Sequence, residues 1–403
     1  MKYDVKKHVR NLRQDMLSFT RDLIRIRTDN PPGNGYEKCV RLIAKKLRQF
    51  GLHPRVLEVQ KPGLGVCPRW CVLVSYGYGK PTLYFHGHYD VVPASNPNQF
   101  NPRSKGNRLY GRGASDMKGG LCAMIYALRI MQLVDLRLRG RVTLVIVPDE
   151  ETGGKYGTQY LFERGYIKKV NSIGMLMPEP TSGAIWNACR GACSLLVSVR
   201  GKPVHVVLQS RGINAYEQML AVANALLRIK ETVEKRKTSY AVASGQSKNS
   251  ILMLGGTCRC GTNFNIVPGD CTFSIERRIN PEENLDKEKQ RLSHLFERLR
   301  GQGTDVTATV LQEGESAGIS PDHFLAKALT QSIRETYGKR PGFYMCPGLL
   351  EIRYYIRHGI PAYAYGPGEL SCAHGPNEFI NVERMYRCAG VYALTALRLL
   401  ARG

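Results

Sequence analysis

Two periods of apolar positions alternate along the chain. In residues 5–28 the apolar side chains recur every three or four positions among charged ones, which predicts an amphipathic helix. The same spacing predicts helices over 36–50 and 118–133. Short uninterrupted apolar runs at 82–87 and 141–147 are typical of strands buried inside a sheet. This alternation predicts an α/β fold with a mixed, largely parallel sheet flanked by helices.

The pattern changes near residue 188. The predicted elements then follow in the order β-α-β-β-α-β, near 194–199, 212–231, 250–255, 270–277, 283–300 and 306–311. This order is that of a ferredoxin-like α+β unit. Because α/β alternation resumes afterwards, we expect an inserted domain at 188–314 within a discontinuous domain of 1–187 and 315–403. A length of 403 residues also favours two domains over a single core.

Composition is that of a soluble globular protein. Hydrophobic residues make up 43% of the chain, and its longest apolar stretches, such as 121–128, are too short to cross a bilayer. The N-terminal residues lead directly into a charged helix without the apolar core of a signal peptide, so we expect a cytoplasmic protein with no membrane partner. The twelve cysteines are scattered and lack C-x-x-C spacing, which favours free thiols in a reducing compartment.

The formal net charge of the chain is +25. A nucleic-acid-binding surface would explain this charge, and so would a basic background that attracts carboxylated substrates. The longest basic run is only 235–237, and the other cations are spread along helix faces. The chain also lacks an aromatic–basic RNA-recognition motif. We therefore expect no nucleic-acid partner.

Residues 83–93 place two histidines and an acid at the end of an apolar strand. Open α/β sheets bind their ligands at the carboxyl ends of strands. His88 and Asp90 are two positions apart, so on a continuing strand they share a face, where one can bind a cation while the other orients it. A buried histidine paired with an acid is the alternative interpretation of this segment.

Acids and a further histidine recur at similar places along the chain. Asp116 lies in a glycine-rich stretch, Glu179 lies between two prolines after a short apolar run, and His374 lies in a Gly/Pro loop. Three successive carboxylates at 149–151 follow the apolar run 141–147. Such carboxylates repel one another and resist burial. Either a solvated loop tolerates them or a divalent cation compensates their charge.

Together these side chains form a candidate metal site. Its members are His88, Asp116, Glu151, Glu179 and His374. Two imidazoles and three carboxylates suit a pair of divalent ions such as zinc, with one carboxylate bridging. Such a pair can activate water and stabilise a tetrahedral intermediate. The adjacent residues Glu150 and Glu151 then divide into a free base and a metal ligand.

The motifs occur in series along nearly the whole chain. They are His88-Tyr89-Asp90, Gly111-Arg112-Gly113 with Asp116-Met117-Lys118-Gly119-Gly120, Asp149-Glu150-Glu151-Thr152-Gly153, Glu179-Pro180-Thr181, and Ala373-His374 with Asn377-Glu378. This series resembles the co-catalytic zinc amidohydrolases and carboxypeptidases. That family includes acetylornithine deacetylase, succinyl-diaminopimelate desuccinylase, aminoacylase-1 and bacterial glutamate carboxypeptidase.

The resemblance implies a role for each residue of the centre. It implies His88 and Glu179 on one metal ion, Glu151 and His374 on the other, and Asp116 bridging them. Two further acids complete the centre, Asp90 holding the imidazole of His88 and Glu150 acting as general base. The alternative for Glu150 is to support the metal ligands by hydrogen bonding without acting as the base.

The resemblance also makes the insertion a lid and dimerisation domain. In it, His205 is similar to a histidine that reaches a neighbouring subunit's site to stabilise the oxyanion, and Asn265 to a substrate-contacting asparagine. Arg278 in the insertion and Arg353 after it are similar to the family's carboxylate-binding arginines. Capping or surface roles are the alternatives for these four residues.

Three departures from the family pattern affect the expected substrate pocket. Val204 replaces the usual alanine before the lid histidine, Glu276 replaces an aspartate, and 348–353 depart from Gly-x-Asp-Ala-Arg. They leave the metal ligands unchanged. Glu at position 179 resembles the deacylases and carboxypeptidases, whereas the related aminopeptidases tend to have Asp.

The resemblance therefore implies a cytoplasmic, homodimeric hydrolase with two divalent ions, zinc first, with cobalt and manganese open. We expect it to cleave the amide of an N-acyl amino acid with metal-activated hydroxide, as a deacetylase or desuccinylase of amino-acid biosynthesis. A dipeptidase or carboxypeptidase of the same family is the alternative. A basic nucleic-acid-binding protein is the alternative from another class.

Overall fold

A computed structural model describes residues 4–60 and 67–401. These residues pack into two compact units, each with its own hydrophobic core. Within the described ranges, the first unit comprises Met1–Asn187, Ile319–Tyr344 and Glu351–Gly403, and the second comprises Ala188–Gly318 and Met345–Leu350.

The helices and strands are short to medium in length. The helices are α1 (Val5–Arg25), α2 (Tyr36–Gln49), α3 (Gly119–Val134), α4 (Thr158–Glu163), α5 (Ala215–Val233), α6 (Leu285–Gly301), α7 (Phe324–Tyr337), α8 (Ile352–Arg357) and α9 (Val382–Leu400). The first eight strands are β1 (Arg55–Glu58), β2 (Trp70–Gly77), β3 (Thr82–His88), β4 (Arg103–Lys105), β5 (Arg108–Tyr110), β6 (Arg141–Val147), β7 (Ser172–Met177) and β8 (Ile185–Cys189). The others are β9 (Gly191–Arg200), β10 (Ile251–Cys260), β11 (Asp270–Ile279), β12 (Asp305–Gly314), β13 (Ala317–Gly318), β14 (Phe343–Cys346), β15 (Ala362–Ala364) and β16 (Phe379–Asn381).

The large sheet is mixed, as the sequence predicts. Its order is β1-β2-β6-β3-β7-β15-β8-β13, with β14 paired to β8. The four central strands β6, β3, β7 and β15 pair in parallel, whereas β1, β2, β8 and β13 pair antiparallel with their neighbours. Every residue of β3 is buried, as expected for a strand inside an α/β sheet.

Helix α3 is the core helix of the first unit. It packs against α1 and α9, and its side chains are apolar on nearly every face. Among the described residues, Ala114–Val134 is the one helical stretch long and apolar enough to cross a membrane, but 78% of its most apolar window is buried inside the structure. A helix that is hydrophobic all round and covered by other helices is a core helix.

The second unit confirms the predicted ferredoxin-like insertion. Its elements run β9-α5-β10-β11-α6-β12, and its sheet has the antiparallel order β10-β11-β9-β12. Along β11 buried residues alternate with less buried ones, because one sheet face packs on α5 and α6.

The prediction that the cysteines are free is wrong for one pair. Cys260 and Cys271 lie directly opposite each other in the β10–β11 register, with Cα atoms 4.2 Å apart, and form a disulfide. The register of two strands brings them together, and their spacing along the chain does not reveal it. Cys39, Cys71, Cys122 and Cys388 are buried free thiols, as predicted.

A small three-stranded sheet connects the stretch that carries Asp116 with the loop that carries His374. Strand β5 pairs antiparallel with both β4 and β16, and Tyr110 lies opposite Phe379. The glycine-rich stretch with Asp116 follows β5, and the loop with His374 precedes β16. The pairing therefore brings the two loops to the same place, although more than 250 residues separate them along the chain.

Candidate active site

The carboxyl ends of three neighbouring strands define the site. His88 ends β3, Glu179 follows β7, and the acidic residues 149–151 follow β6. Because β3 pairs in parallel with both β6 and β7, these ends lie side by side. This is the position at which open α/β sheets bind ligands.

Asp116 lies between the two histidines. Its Oδ1 is 3.4 Å from His88 Nε2, and its Oδ2 is 3.2 Å from His374 Nε2. Around this carboxylate, His374 Nε2 is 3.3 Å from Glu151 Oε2, and His88 Nε2 is 3.9 Å from Glu179 Oε1. The five side chains form two half-sites that share one carboxylate. We call them the imidazole–carboxylate cluster.

The backbone around Asp116 is organised by Glu378. One oxygen of this buried carboxylate accepts the backbone N–H groups of Ser115 and Asp116, at 2.8 and 3.1 Å. The other accepts the N–H of Gly113 at 3.0 Å. Gly113 has φ +82°, which favours glycine. Glu378 thereby fixes the tight turn that directs Asp116 toward the histidines.

Arg112 joins this turn to the histidine loop. Its Nη1 donates to Glu378 at 2.7 Å, and its Nη2 donates to the backbone carbonyl of His374 at 3.0 Å. The guanidinium is buried, so both hydrogen bonds are shielded from water. Sequence reasoning assigned no role to Arg112 or Glu378, although both belong to the motifs that it quoted.

Asp90 connects His88 to the acidic loop. Its Oδ1 is 3.2 Å from His88 Nδ1 and accepts the backbone N–H of Glu150 at 3.2 Å. Its Oδ2 accepts the N–H of Glu151 at 3.1 Å and a hydrogen bond from Asn30 Nδ2 at 2.8 Å. The backbone carbonyl of Asp90 also lies 3.0 Å from His88 Nδ1, so this residue orients the imidazole through both groups, and its carboxylate holds the two glutamates that follow β6.

Of the three successive acids, Asp149 points away from the cluster. Its Oδ2 accepts the backbone N–H of Tyr156 at 2.6 Å, and its carbonyl accepts that of Gly154 at 2.8 Å. Burial raises the pKa of Asp149 to about 8. The repulsion expected among the three carboxylates is reduced because this acid serves the loop backbone and is readily neutral.

The imidazoles of the cluster hold protons strongly. Hydrogen bonds to Asp116 and then to Glu151 raise the pKa of His374 to about 11. Burial alone would lower the pKa of His88, but the nearby carboxylates of Asp116 and Asp90 raise it well above its usual value. Positive charge is therefore favoured at both imidazoles.

The carboxylates respond to the same environment in opposite directions. Burial would raise the pKa of Asp116, yet the imidazoles of His374 and His88 beside it lower it overall. Burial raises the pKa of Glu150, Glu151 and Glu179, and neighbouring carboxylates raise it further. Such opposed shifts within one cleft are a mark of functional sites.

The cluster fits divalent cations. Four of its buried atoms have no hydrogen-bond partner within the described ranges, namely His88 Nε2, Asp116 Oδ1, Glu151 Oε1 and Glu179 Oε1. Ligand atoms of His88, Asp116 and Glu151 all lie within 4.8 Å of one another. Buried polar atoms without partners are costly, and a cation satisfies several of them at once.

His205 and Asn265 are neighbours in the second unit. His205 forms an isolated bridge with Ile266, and the N–H of Val206 donates to the carbonyl of Asn265 at 2.9 Å. The imidazole of His205 is exposed and accepts the N–H of Val207 at 3.4 Å. The side-chain oxygen of Asn265 is buried without a hydrogen-bond partner among the described residues.

Arg278 lies on β11 beside a second arginine that sequence reasoning missed. Arg278 forms a salt bridge with Glu276 at 2.6 Å. The glutamate that replaces the usual aspartate thus has an ionic partner. Arg190 is 3% exposed, and its Nη2 donates to the carbonyl of Ser247 at 2.6 Å. Its Nε and Nη1 have no partner in the described part of the chain, and burial, followed by the charge of Arg278, lowers its pKa. One signal was available, because Arg190 is the only charged residue between positions 179 and 200.

Arg353 lies in the first unit and is 2% exposed. Its Nη2 donates to the carbonyl of Gly153 at 2.7 Å, and its guanidinium lies 4.4 Å from the ring centre of Tyr354. The structure thus places this residue against the loop that carries Glu150 and Glu151.

The site and fold define a metal-dependent hydrolase, and comparison with known proteins gives its family. The profile of peptidase family M20/M25/M40 matches residues 84–398, and the chain belongs to this family. It is a hydrolase acting on amide bonds.

The relatives extend over nearly the whole chain. A protein of Staphylococcus epidermidis described as a probable succinyl-diaminopimelate desuccinylase is 25% identical over 94% of this chain and 96% of its own length. The fold is similar to that of the dipeptidase Dug1p of Saccharomyces cerevisiae, with a TM-score of 0.79, 14% identity and 97% of each chain covered. It is also similar to a Bacillus subtilis protein described as a dinuclear metal-binding peptidase of the M20 family, with a TM-score of 0.67, 14% identity and coverage of 97% and 99%.

Proposed function

We propose that this protein hydrolyses the amide bond of an N-acyl amino acid, with an acetyl or succinyl acyl group, using two divalent cations, zinc in first place. The observation that carries the proposal is the position of Asp116, whose two oxygens face the two imidazoles of the cluster at 3.4 and 3.2 Å. The succinyl group is favoured by the name of the Staphylococcus epidermidis relative.

The cluster divides into ligands for two ions. His88 and Glu179 would hold one, His374 and Glu151 the other, and Asp116 both, which follows the two half-sites. When bound, the ions supply Lewis acidity, which polarises the amide carbonyl and lowers the pKa of water.

Glu150 is the proposed general base. Its backbone N–H is fixed by Asp90, and burial raises the pKa of its carboxyl group. A carboxylate with a raised pKa can accept a proton from the attacking water and donate it to the leaving amine at neutral pH. Its neighbour Glu151 remains a ligand, so the two adjacent acids have different roles.

Arginines are the proposed groups for recognition of the α-carboxylate. Arg278 and the buried Arg190 lie close together in the second unit, and Arg190 retains two donors without partners among the described residues. A guanidinium binds a carboxylate through two parallel hydrogen bonds. By resemblance, His205 and Asn265 complete the oxyanion and substrate contacts, with His205 acting at the site of a second copy.

The second unit supports a homodimer. Tyr216, Leu220 and Leu227 are exposed on one stripe of α5, while the opposite face of this helix is buried. Strand β10 is an edge strand of the sheet and offers unpaired backbone groups. A two-fold interface would cover such a face. Buried free thiols such as Cys39, Cys71 and Cys122 support a cytoplasmic enzyme of amino-acid metabolism.

A substrate panel with and without metal tests this function. The purified protein is treated with a chelator, reloaded with zinc, cobalt or manganese, and assayed on N-acetylornithine, N-succinyl-diaminopimelate and dipeptides. We expect metal-dependent release of a free amino acid from an N-acyl substrate. Cleavage of dipeptides alone would favour the dipeptidase alternative, which the fold of the yeast dipeptidase supports. No turnover of any of these by the loaded protein would refute the proposal.

A further inference from the structure

The 150–154 loop is fixed by two hydrogen bonds to the backbone carbonyl of Gly153. Arg353 Nη2 and the hydroxyl of Tyr354 both donate to this oxygen, each at 2.7 Å. Two donors on one carbonyl occupy both of its lone pairs. The peptide two residues after Glu151 is therefore fixed by consecutive side chains at the start of α8.

Glu351 contacts the same loop at Gly154, the residue after Gly153. Gly154 has φ +74°, and a Cβ added there would collide with the carboxylate of Glu351. Gly154 is therefore packed directly on this carboxylate, and a side chain at position 154 would push the loop away. The closeness of packing and the left-handed backbone both require glycine.

The carboxylate of Glu351 is itself fixed by a buried network. His86 Nε2 is 2.6 Å from Glu351 Oε2, and the hydroxyl of Thr158 donates to Glu351 Oε1 at 2.5 Å. The hydroxyl of Tyr355 is 3.0 Å from His86 Nδ1, so both nitrogens of the imidazole have partners. His86, Thr158 and Glu351 are each 0% exposed.

A buried pair of this kind seldom serves stability alone. Removing two ionisable groups from water costs several kcal/mol, and a well-packed apolar pair is often at least as stable. The better-supported role for such a pair is to fix one geometry among several. Here the geometry is that of the loop carrying Glu150 and Glu151.

We propose that His86, Glu351 and Tyr354 are positioning residues that hold the 150–154 loop, and through it Glu150 and Glu151, in place for metal binding and proton transfer. This inference rests on the proposed function for the roles of Glu150 and Glu151. Strand β3 then provides two histidines on one face with different tasks: His88 faces the cluster, and His86 holds the support of the neighbouring loop. Glu351 is the acid that contacts His86, at 2.6 Å.

Three variants test this arrangement. Tyr354→Phe removes the hydroxyl that donates to the Gly153 carbonyl. Glu351→Gln removes the negative charge of the carboxylate that packs on Gly154, with little change in shape. Tyr363→Phe is the matched control, because its hydroxyl also donates to a backbone carbonyl, that of Ser320, at 2.7 Å, but away from the loop. Each protein is stripped of metal, and its affinity for Co²⁺ is measured by calorimetry, together with kcat, KM and Tm.

We expect Glu351→Gln to weaken Co²⁺ binding by roughly 10- to 100-fold, as is usual when a group supporting a metal ligand is lost, and to lower kcat with KM unchanged. Tyr354→Phe should lower kcat by about fivefold, the effect of one hydrogen bond. Tyr363→Phe should lower Tm similarly to Tyr354→Phe but leave Co²⁺ affinity and kcat unchanged.

The inference is overturned if Glu351→Gln matches the control in Co²⁺ affinity, or if Tyr354→Phe matches it in kcat. A rise in KM at constant kcat would also overturn it, because it would mean that these side chains bind substrate. The Co²⁺ titration needs no substrate. A wild-type protein that binds Co²⁺ but cleaves no amide would refute the proposed function, whereas equal Co²⁺ affinity in all variants would refute the positioning role.

Discussion

In most proteins polar atoms are paired or exposed and apolar side chains are buried. The imidazole–carboxylate cluster departs from this rule by burying unpaired polar atoms, and the outer face of α5 departs from it by exposing apolar side chains. In the cluster, polar atoms of His88, Asp116, Glu151 and Glu179 are buried without hydrogen-bond partners among the described residues. On α5, Tyr216, Leu220 and Leu227 are between 43% and 47% exposed. Burying unpaired polar atoms costs free energy, and so does exposing a contiguous apolar stripe.

The difference matches the two ligands proposed for these regions, cations for the cluster and a second copy of the chain for α5. Concentrated negative charge away from water attracts small cations, which replace the missing hydrogen bonds. An apolar stripe on a helix beside an edge strand is the kind of surface that the proposed second copy would cover. Buried polar atoms without partners therefore favour a cation in the cluster, and exposed apolar side chains favour a protein partner on α5. Substitutions that change these side chains test both proposals.

The largest effect is expected from Glu150→Gln. An amide cannot accept the proton of the attacking water, so kcat should fall by about 10²–10⁴-fold while the metal content stays the same. Steady-state kinetics and metal analysis on the same samples measure both. The exposed residue Glu58 on β1 provides a control, since Glu58→Gln should leave kcat unchanged. A loss of bound metal in Glu150→Gln would show instead that Glu150 is a ligand.

Asp116→Asn should abolish the stabilisation that metal ions give. A cation at 100 times its Kd adds about 2.7 kcal/mol to the free energy of unfolding, and the shared carboxylate contributes to both half-sites. Thermal melts with and without zinc should show a metal-dependent rise in Tm for the wild type and almost none for the variant. Asp135→Asn, at an exposed position after α3, is the control. An undiminished rise in Asp116→Asn would contradict a shared ligand.

The apolar stripe of α5 is broken by Leu220→Glu. Two buried charges facing each other across a two-fold interface should raise the dimer dissociation constant by about tenfold or more. Analytical ultracentrifugation over a range of concentrations measures this shift. Val170 is 76% exposed in the first unit, and Val170→Glu provides a surface control. A wild-type protein that sediments as a monomer at every concentration would argue against the homodimer.

The smallest effect concerns protons released on metal binding. The pKa of His374 is raised to about 11 in the cluster, so its imidazole is protonated at pH 7 and must lose that proton to bind a cation. Affinity should therefore increase as pH rises, by up to about tenfold per pH unit for each proton released. Calorimetric titration with zinc in two buffers of different ionisation enthalpy counts these protons. Equal heats in both buffers would contradict the prediction.

The fold class was predictable because the two apolar periods are strong and extend over enough residues in α1, α3 and β6 to be detected. The order β-α-β-β-α-β of the second unit is visible in the same way. Strands β4, β5 and β16 were missed because each has only three residues, too few for a period to be detected. The Cys260–Cys271 pair was missed because it depends on the register of β10 against β11.

The candidate ligands were visible as acids and histidines in unlikely places, after apolar strands or between prolines. Their partners were not. Glu378 acts on a turn 262 residues earlier in the chain, and His86 meets a carboxylate 265 residues later. Nothing local distinguishes such residues, because their role arises from topology and not from the neighbouring sequence. The roles of His205, Asn265, Arg278 and Arg353 in substrate binding stay predictions.

Strand β15 has a consequence for synthesis on the ribosome. It lies in the large sheet between β7 and β8, two strands that are made almost 200 residues earlier. Until Ala362–Ala364 emerge, those strands have no common neighbour, and His374 is not yet available to the cluster. The nascent chain must therefore complete its second unit before β15 can join the large sheet. A chain truncated before Ala362 would lack both the strand that joins β7 to β8 and His374 of the cluster.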